Sequence, residues 1–163
     1  MSAIDVIRRR LGEAGIPEAT VPKEEKPDVV AFVDVKACTA CGLCAPHCPA
    51  GCIETLEAGA VEGRDPQPVQ VRYQECVGCR VCVEICAHVA QAHAIQAYDT
   101  NLAEQGMSTE ISDRPEPAGE APEAWDEIWA EEGSFHHMGE GSAIEDRLTA
   151  EDREIFAGER ASR

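Results

Sequence analysis

The sequence predicts an α+β fold built from two similar halves, in a β-α-β-β-α-β order with pseudo-twofold symmetry. Three observations support this prediction. A run of four cysteines recurs after a shift of 38 residues, each run lies between two strand-like stretches, and each run leaves room for a helical turn or two. A short N-terminal helix is expected before the two halves, and a long, mostly irregular acidic C-terminal tail after them.

The N-terminal helix and a linker make up the first predicted unit, residues 1–28. Ser2 and Asp5 have the spacing of a capping box, and Gly12 suits the C-terminal end of a helix. The apolar residues that share one helical face are Ile4, Ile7 and Leu11. Three prolines follow within the next 15 residues, so we expect an irregular connection up to the first strand.

The two halves make up the second predicted unit, residues 29–98. The four predicted strands are Val29–Val35, Ile53–Glu57, Val69–Tyr73 and Ala94–Tyr98. The third of them alternates apolar and polar residues, which is the pattern of a strand with one buried face. The stretch Glu57–Pro68 connects the halves.

The acidic tail is the third predicted unit, residues 99–163. It holds 18 acidic and five basic residues, so it carries -13 of the formal charge of -17. A proline-rich stretch predicts a linker, and Ser142 with Glu145 predicts a helix start. The apolar side chains that form candidate docking anchors are Trp125, Ile128, Trp129, Leu148, Ile155 and Phe156.

Two interpretations of these anchors stay open. They fold back on their own domain, or they dock on another subunit. We favour docking, because both tryptophans of the chain lie outside the evident core.

Charge and hydropathy exclude several classes of partner. A chain of 163 residues with a formal charge of -17 is a poor ligand for nucleic acid or an anionic membrane, since such binding depends on clustered Lys and Arg. The longest apolar runs, such as Val29–Val35, fall far short of the roughly 20 residues that span a bilayer. No apolar stretch follows the three arginines near the start as in a secretory signal. We therefore expect a cytoplasmic protein without direct membrane insertion.

The cysteine content indicates metal binding. Nine cysteines accompany only seven aromatic residues, which is an inverted ratio for an ordinary apolar core. The odd count, the spacing and the expected reducing compartment argue against disulfides.

The spacing of the cysteines favours an iron–sulfur cluster over zinc. The runs are Cys38, Cys41, Cys44 and Cys48, and then Cys76, Cys79, Cys82 and Cys86. Three thiolates spaced three residues apart on a looping backbone can hold three corners of a [4Fe-4S] cubane, while nearby amide N–H groups point at its sulfides. Structural zinc is usually held by two cysteine pairs from separate segments.

The stretch from Cys38 to Pro49, with its second copy from Cys76, resembles the bacterial-type two-[4Fe-4S] ferredoxin family over about residues 29–98. The resemblance implies a ferredoxin-type domain around two low-potential, one-electron [4Fe-4S] clusters. It also implies that the fourth cysteine of each run binds the other cluster. The implied ligand sets are Cys38, Cys41, Cys44 and Cys86 for one cluster, and Cys76, Cys79, Cys82 and Cys48 for the other.

Three features depart from this pattern or add to it. Ala87 stands where the first run has Pro49, and the longer stretch after Cys86 predicts an extended helix. Cys52, the ninth cysteine, is interpreted as a small buried thiol, with ligand exchange or redox sensing as the alternative. Arg80 lies within the second run and predicts a higher potential for that cluster, because a nearby cation favours the reduced state, with a solvent-facing arginine that has no effect as the alternative.

The function predicted from these features is one-electron transfer between donor and acceptor redox proteins. No phosphate-binding glycine loop or nucleophile elbow indicates a catalytic site. The tail anchors favour an iron–sulfur subunit in a stable complex, within a larger oxidoreductase or reaction centre. A freely diffusing ferredoxin is the alternative, and a zinc-binding interaction module with an acidic tail is a third possibility of a different class.

Overall fold

The computed structural model describes residues 1–21, 23–106, 111 and 139–163. The elements in chain order are helix α1 (Ala3–Glu13), strand β1 (Val29–Val33), a 3-10 turn (Ala45–His47), β2 (Ile53–Thr55), β3 (Val69–Val71), α2 (Val81–Glu84), a π-helical turn (Ile85–Val89), β4 (Ile95–Asp99), α3 (Thr100–Gly106), a second 3-10 turn (Glu145–Arg147) and α4 (Ala150–Ala161). The described residues form a small α+β fold with a short N-terminal helix, as the sequence predicts.

The four strands form two antiparallel pairs. Strand β1 pairs with β4, with Val29 opposite Asp99, and β2 pairs with β3, with Ile53 opposite Val71. Each pair therefore joins a strand next to the first cysteine run with a strand next to the second. The first three strands end before their predicted limits. Strand β1 stops at Val33 because the Cys38 N–H bonds to the Asp34 carbonyl at 2.9 Å, which turns the chain into the first run.

Three aromatic residues form the centre of the larger core. The ring of Phe32 stacks on Tyr73 at a centroid distance of 4.3 Å and meets Tyr98 edge-on at 5.0 Å. Valines of β1 and β3 complete this core together with the buried cysteines. The aromatic side chains therefore join the two strand pairs.

Helix α1 begins as predicted and ends later than predicted. The Ser2 hydroxyl accepts from the Asp5 N–H and the Asp5 carboxylate accepts from the Ser2 N–H, which completes a capping box. The helix passes through Gly12 to Glu13, and the chain leaves it at Gly15, where φ is +81°. Gly12 is therefore inside the helix, and Gly15 takes the left-handed conformation expected after a helix end.

The C-terminal residues return to the domain. Glu140 exchanges two backbone hydrogen bonds with Ala97 of β4, at 2.7 and 2.8 Å. Helix α4 then starts with its own capping box, between Thr149 and Asp152. The Asp152 carboxylate also accepts hydrogen bonds from two arginines of α1, Arg9 at 3.3 Å and Arg10 at 2.8 Å.

This return overturns the docking prediction for Leu148, Ile155 and Phe156. Phe156 is 2% exposed, and the other two pack against the same apolar cluster, which α1, α2 and the π-helical turn supply. The ring of Phe156 also stacks on that of His88 at 5.6 Å. The apolar face of α1 needs a cover, and the chain provides it from its own C-terminus.

The predicted helix start at Ser142 is also wrong. The Ser142 hydroxyl donates to the carboxylate of Glu84 at 2.7 Å, and the Ala143 N–H donates to the same group at 2.7 Å. Glu84 is fully buried, so it holds this segment as a turn against α2. The helix begins at Ala150, and its N-cap is Thr149 instead of Ser142.

The remaining predicted anchors, Trp125, Ile128 and Trp129, lie outside the described residues. Within the described ranges, no helix is long and apolar enough to cross a membrane.

Candidate iron–sulfur site

Two cavities are lined by the cysteine runs, and each takes its fourth ligand candidate from the opposite run. The cavity under β1 is lined by Cys76, Cys79, Cys82 and Cys48, together with Cys52. The second cavity is lined by Cys38, Cys41, Cys44 and Cys86. The other wall residues are largely apolar, with Val71 and Val83 in the first cavity and Leu43 and Ile95 in the second.

The backbone of the two runs repeats residue by residue. Ala40 and Gly78 stand 38 positions apart and have φ values of +58° and +70°. Gly42 and Arg80 are the next such pair, with φ values of +71° and +63°. Two left-handed residues in each loop wind the chain around its cavity, and the Ala40 N–H points at the Cys38 sulfur at 3.4 Å. Non-glycine residues rarely hold this conformation, so it indicates a local constraint.

The second run continues into helical structure that the first lacks. Helix α2 leads directly into the π-helical turn that contains Cys86, and its wider turns take up the longer stretch after that residue. The first run has only a 3-10 turn before Cys48. The predicted extension of the helix is present, and it brings the Cys86 sulfur within 3.2 Å of the Ala94 N–H.

Burial raises the pKa of several thiols in both cavities. Desolvation raises the pKa of Cys44 to about 12 and that of Cys79 to about 11, and neighbouring cysteines add to the effect. It also raises the pKa of Cys82 and Cys86. Iron binds the thiolate, so metal binding has to replace a proton that burial otherwise holds in place.

Cys52 lies against two of the candidate ligands. Its sulfur is 3.5 Å from that of Cys48, and the side chain is 1% exposed. Hydrogen bonding from Cys52 lowers the pKa of Cys48 to about 6 and that of Cys76 to about 7, and it raises the pKa of Cys52. The buried thiol expected from the sequence is therefore in contact with the second site.

Two cations that the sequence did not single out reach the cysteine runs. The Lys23 ammonium donates to the carbonyl of Cys76 at 3.3 Å, and the Arg64 guanidinium donates to the carbonyl of Cys38. Arg80, which the sequence did single out, forms an ion pair with Glu140 at 2.9 Å. No spacing rule links Lys23 or Arg64 to a cysteine, so only the folded chain reveals these contacts.

The cysteine thiols at each cavity fit the [4Fe-4S] cluster that the sequence predicts. Groups of four thiolates are the usual ligands of [4Fe-4S] clusters. Here four thiols line each of two cavities with largely apolar walls, and in the first run the Ala40 N–H points at the Cys38 sulfur.

Comparison with protein families agrees with this geometry. Residues 37–90 match the family described as the 4Fe-4S dicluster domain. Residues 37–90 therefore match a dicluster domain, and the resemblance to the two-[4Fe-4S] ferredoxin family drawn from the cysteine runs is confirmed.

One curated relative is the NADH-quinone oxidoreductase subunit I of Pelobacter propionicus. It is 36% identical over 53 residues, which cover 30% of this chain and 28% of the relative. The chain thus matches under a third of that protein's length. No solved structure matches the chain.

Proposed function

We propose that this protein transfers single electrons through two [4Fe-4S] clusters as a subunit of a larger oxidoreductase. The observation that carries the proposal is the lining of the two cavities, where three cysteines of one run meet the fourth of the other. Each cluster, when bound, supplies a site that takes up and releases one electron. The ligand sets we propose are Cys38, Cys41, Cys44 and Cys86 for one cluster, and Cys76, Cys79, Cys82 and Cys48 for the other.

The role of the protein residues is to position the thiolates and to exclude water. The left-handed pairs at Ala40 and Gly42 and at Gly78 and Arg80 support a pseudo-twofold relation between the halves. Since Cys48 and Cys86 each serve the opposite half, neither half completes a site by itself. We therefore propose residues 29–98 as one unit that assembles together with its metal.

Metal content and spectroscopy test the two-cluster proposal. We expect the chain purified without oxygen to be brown, with a broad visible absorption band and about eight irons per chain. Cys48→Ser should impair the cluster of the second run, and Cys86→Ser that of the first run. Cys52→Ser is the matched control and should keep both. A colourless protein that holds zinc would contradict the proposal and support an interaction module.

The proposal that the chain is a subunit of a complex is based on the curated relative and on the apolar residues of the acidic tail. The relative is by name a subunit of an NADH-quinone oxidoreductase, and we propose a comparable role here, with donor and acceptor subunits as redox partners. Trp125, Ile128 and Trp129 are the proposed contacts, since large aromatic side chains dominate stable interfaces. The alternative is a ferredoxin that diffuses freely.

A test of docking has to leave the C-terminal helix in place, because α4 packs on α1 and its removal would expose the core. We therefore propose Trp125→Ala with Trp129→Ala in the full chain. The variant should keep its iron and lose its co-purifying partners. If the native protein purifies alone with both clusters, it is a free carrier. Unchanged co-purification of the variant would contradict tail docking.

A further inference from the structure

A buried lysine from the N-terminal linker lies at the second cysteine site. Lys23 is 5% exposed, and its ammonium donates to the carbonyl of Cys76, the first cysteine of the second run. A buried ammonium is costly unless opposite charge or hydrogen bonds compensate it. The carbonyl of Cys76 supplies one such hydrogen bond and places the ammonium beside the second run.

The linker that carries Lys23 is held in place at several points. Thr100 donates to the carbonyls of Pro27 and Asp28, through its hydroxyl at 2.6 Å and its N–H at 2.9 Å. Lys26 forms an ion pair with Glu104 at 2.6 Å. These contacts tie the linker to α3 within three to five residues of Lys23.

The first site has a cation at the corresponding point. Arg64 donates to the carbonyl of Cys38, and Cys38 is the counterpart of Cys76 in the repeat. Arg64 also donates to the carbonyl of Val35 at 3.2 Å. It comes from the connection between β2 and β3, whereas Lys23 comes from the N-terminal linker. Two unrelated parts of the chain thus place a positive charge at equivalent positions.

The two cations differ in their exposure to solvent. Arg64 is partly exposed, whereas Lys23 is buried. Water screens an exposed charge more strongly than a buried one. Arg80 lines the cavity of the second run and forms an ion pair with the exposed Glu140, so the second site has another cation besides Lys23.

We propose that Lys23 and Arg64 are potential-tuning residues, one for each cluster, and that Lys23 makes the cluster of the second run the easier one to reduce. The inference rests on the proposed function. One-electron reduction by an external donor adds one negative charge to a site, and a nearby fixed positive charge stabilises that product. The buried ammonium has the larger effect, because its field is less screened.

Redox titration of the holoprotein, followed by electron paramagnetic resonance with dithionite as the reductant, tests this proposal. Lys23→Gln should lower one of the two midpoint potentials enough to change the distribution of electrons between the clusters at least tenfold. For a one-electron couple, a tenfold change corresponds to a potential shift of about 59 mV. Arg64→Gln should lower the other potential by less. Lys23→Arg keeps the charge and should behave like the wild-type protein.

The outcomes separate the inference from the function on which it rests. If Lys23→Gln keeps about eight irons and moves neither potential, or moves the same one as Arg64→Gln, the tuning role is refuted. Loss of a cluster from Lys23→Gln also refutes it, because the lysine would then serve assembly. A wild-type chain without two clusters would overturn the proposed function itself.

Discussion

Ala40 and Gly78 occupy the same place in the two cysteine runs, and both have a positive φ. An alanine is tolerated in the first run, but a methyl group at Gly78 would lie 2.5 Å from the Val29 carbonyl oxygen and 3.0 Å from the Pro27 Cβ. The N-terminal linker lies directly on the second loop, so only glycine fits there. The repeat in the sequence predicts the shared backbone, and the folded chain explains the different residue.

Gly78→Ala should destabilise the protein more than Gly42→Ala does. Both glycines have a positive φ, and an alanine in this conformation costs about 1–2 kcal/mol. A methyl group at Gly42 meets nothing within 4 Å, whereas one at Gly78 meets backbone. Denaturant unfolding of the holoprotein, followed by its visible absorption, measures both variants. Equal shifts in the unfolding midpoint would show that the linker yields to the added methyl group.

Among the secondary-structure elements, the position of helix α4 is the least evident from the sequence. The capping box of α1 and all four strands follow from local patterns, so the sequence predicts them close to their observed places. The docking of α4 on α1 depends on contacts across more than 140 residues, such as that between Arg10 and Asp152. Local periodicity carries no information about such contacts, and the apolar residues of the tail suggested a partner instead.

Asp152 is expected to make the attachment of α4 depend on pH. Burial raises its pKa, but hydrogen bonds from the Thr149 N–H, from Arg10 and from the Thr149 hydroxyl outweigh this effect and hold the pKa below its ordinary value of 3.8. The carboxylate therefore stabilises the fold above about pH 4, and this contribution is lost as the pH falls through the lowered pKa.

Hydrogen exchange of the α4 amides at neutral pH measures this contribution. Asp152→Asn should speed exchange at least about tenfold, because the hydrogen bonds to a charged group weaken. The difference from the wild-type protein should shrink only as the pH falls through the lowered pKa of Asp152, because the wild-type carboxylate is then also protonated. Asp146→Asn, at an exposed position in the preceding turn, is the matched control and should change little. A difference that persists in acid would assign the effect to packing.

Across the whole molecule, the sequence indicates the two cysteine cavities more directly than it indicates their surroundings. The spacing of eight cysteines shows the repeat and predicts the cluster type, since both depend on positions along the chain. The cations at the sites come from a linker and a connection with no motif, so Lys23 and Arg64 were missed. The C-terminal helix also has a different role from the one expected, because α4 packs with α1 over the second half of the domain.

Removal of iron should unfold the region around β1 and β4. The buried cysteines form part of the larger core, and without metal their cavities must collapse or fill with water. Domains of this size have only about 5–15 kcal/mol of stability, and metal binding provides a comparable free energy in small metal-dependent folds. Chelation under reducing conditions should therefore abolish the cooperative unfolding transition, measured by near-ultraviolet circular dichroism. Cys52→Ser keeps the proposed ligands and is the matched control. It should unfold cooperatively while iron is bound and lose this cooperative transition only after chelation. An iron-free protein that still unfolds cooperatively would mean that α1, α2 and α4 hold the fold without metal.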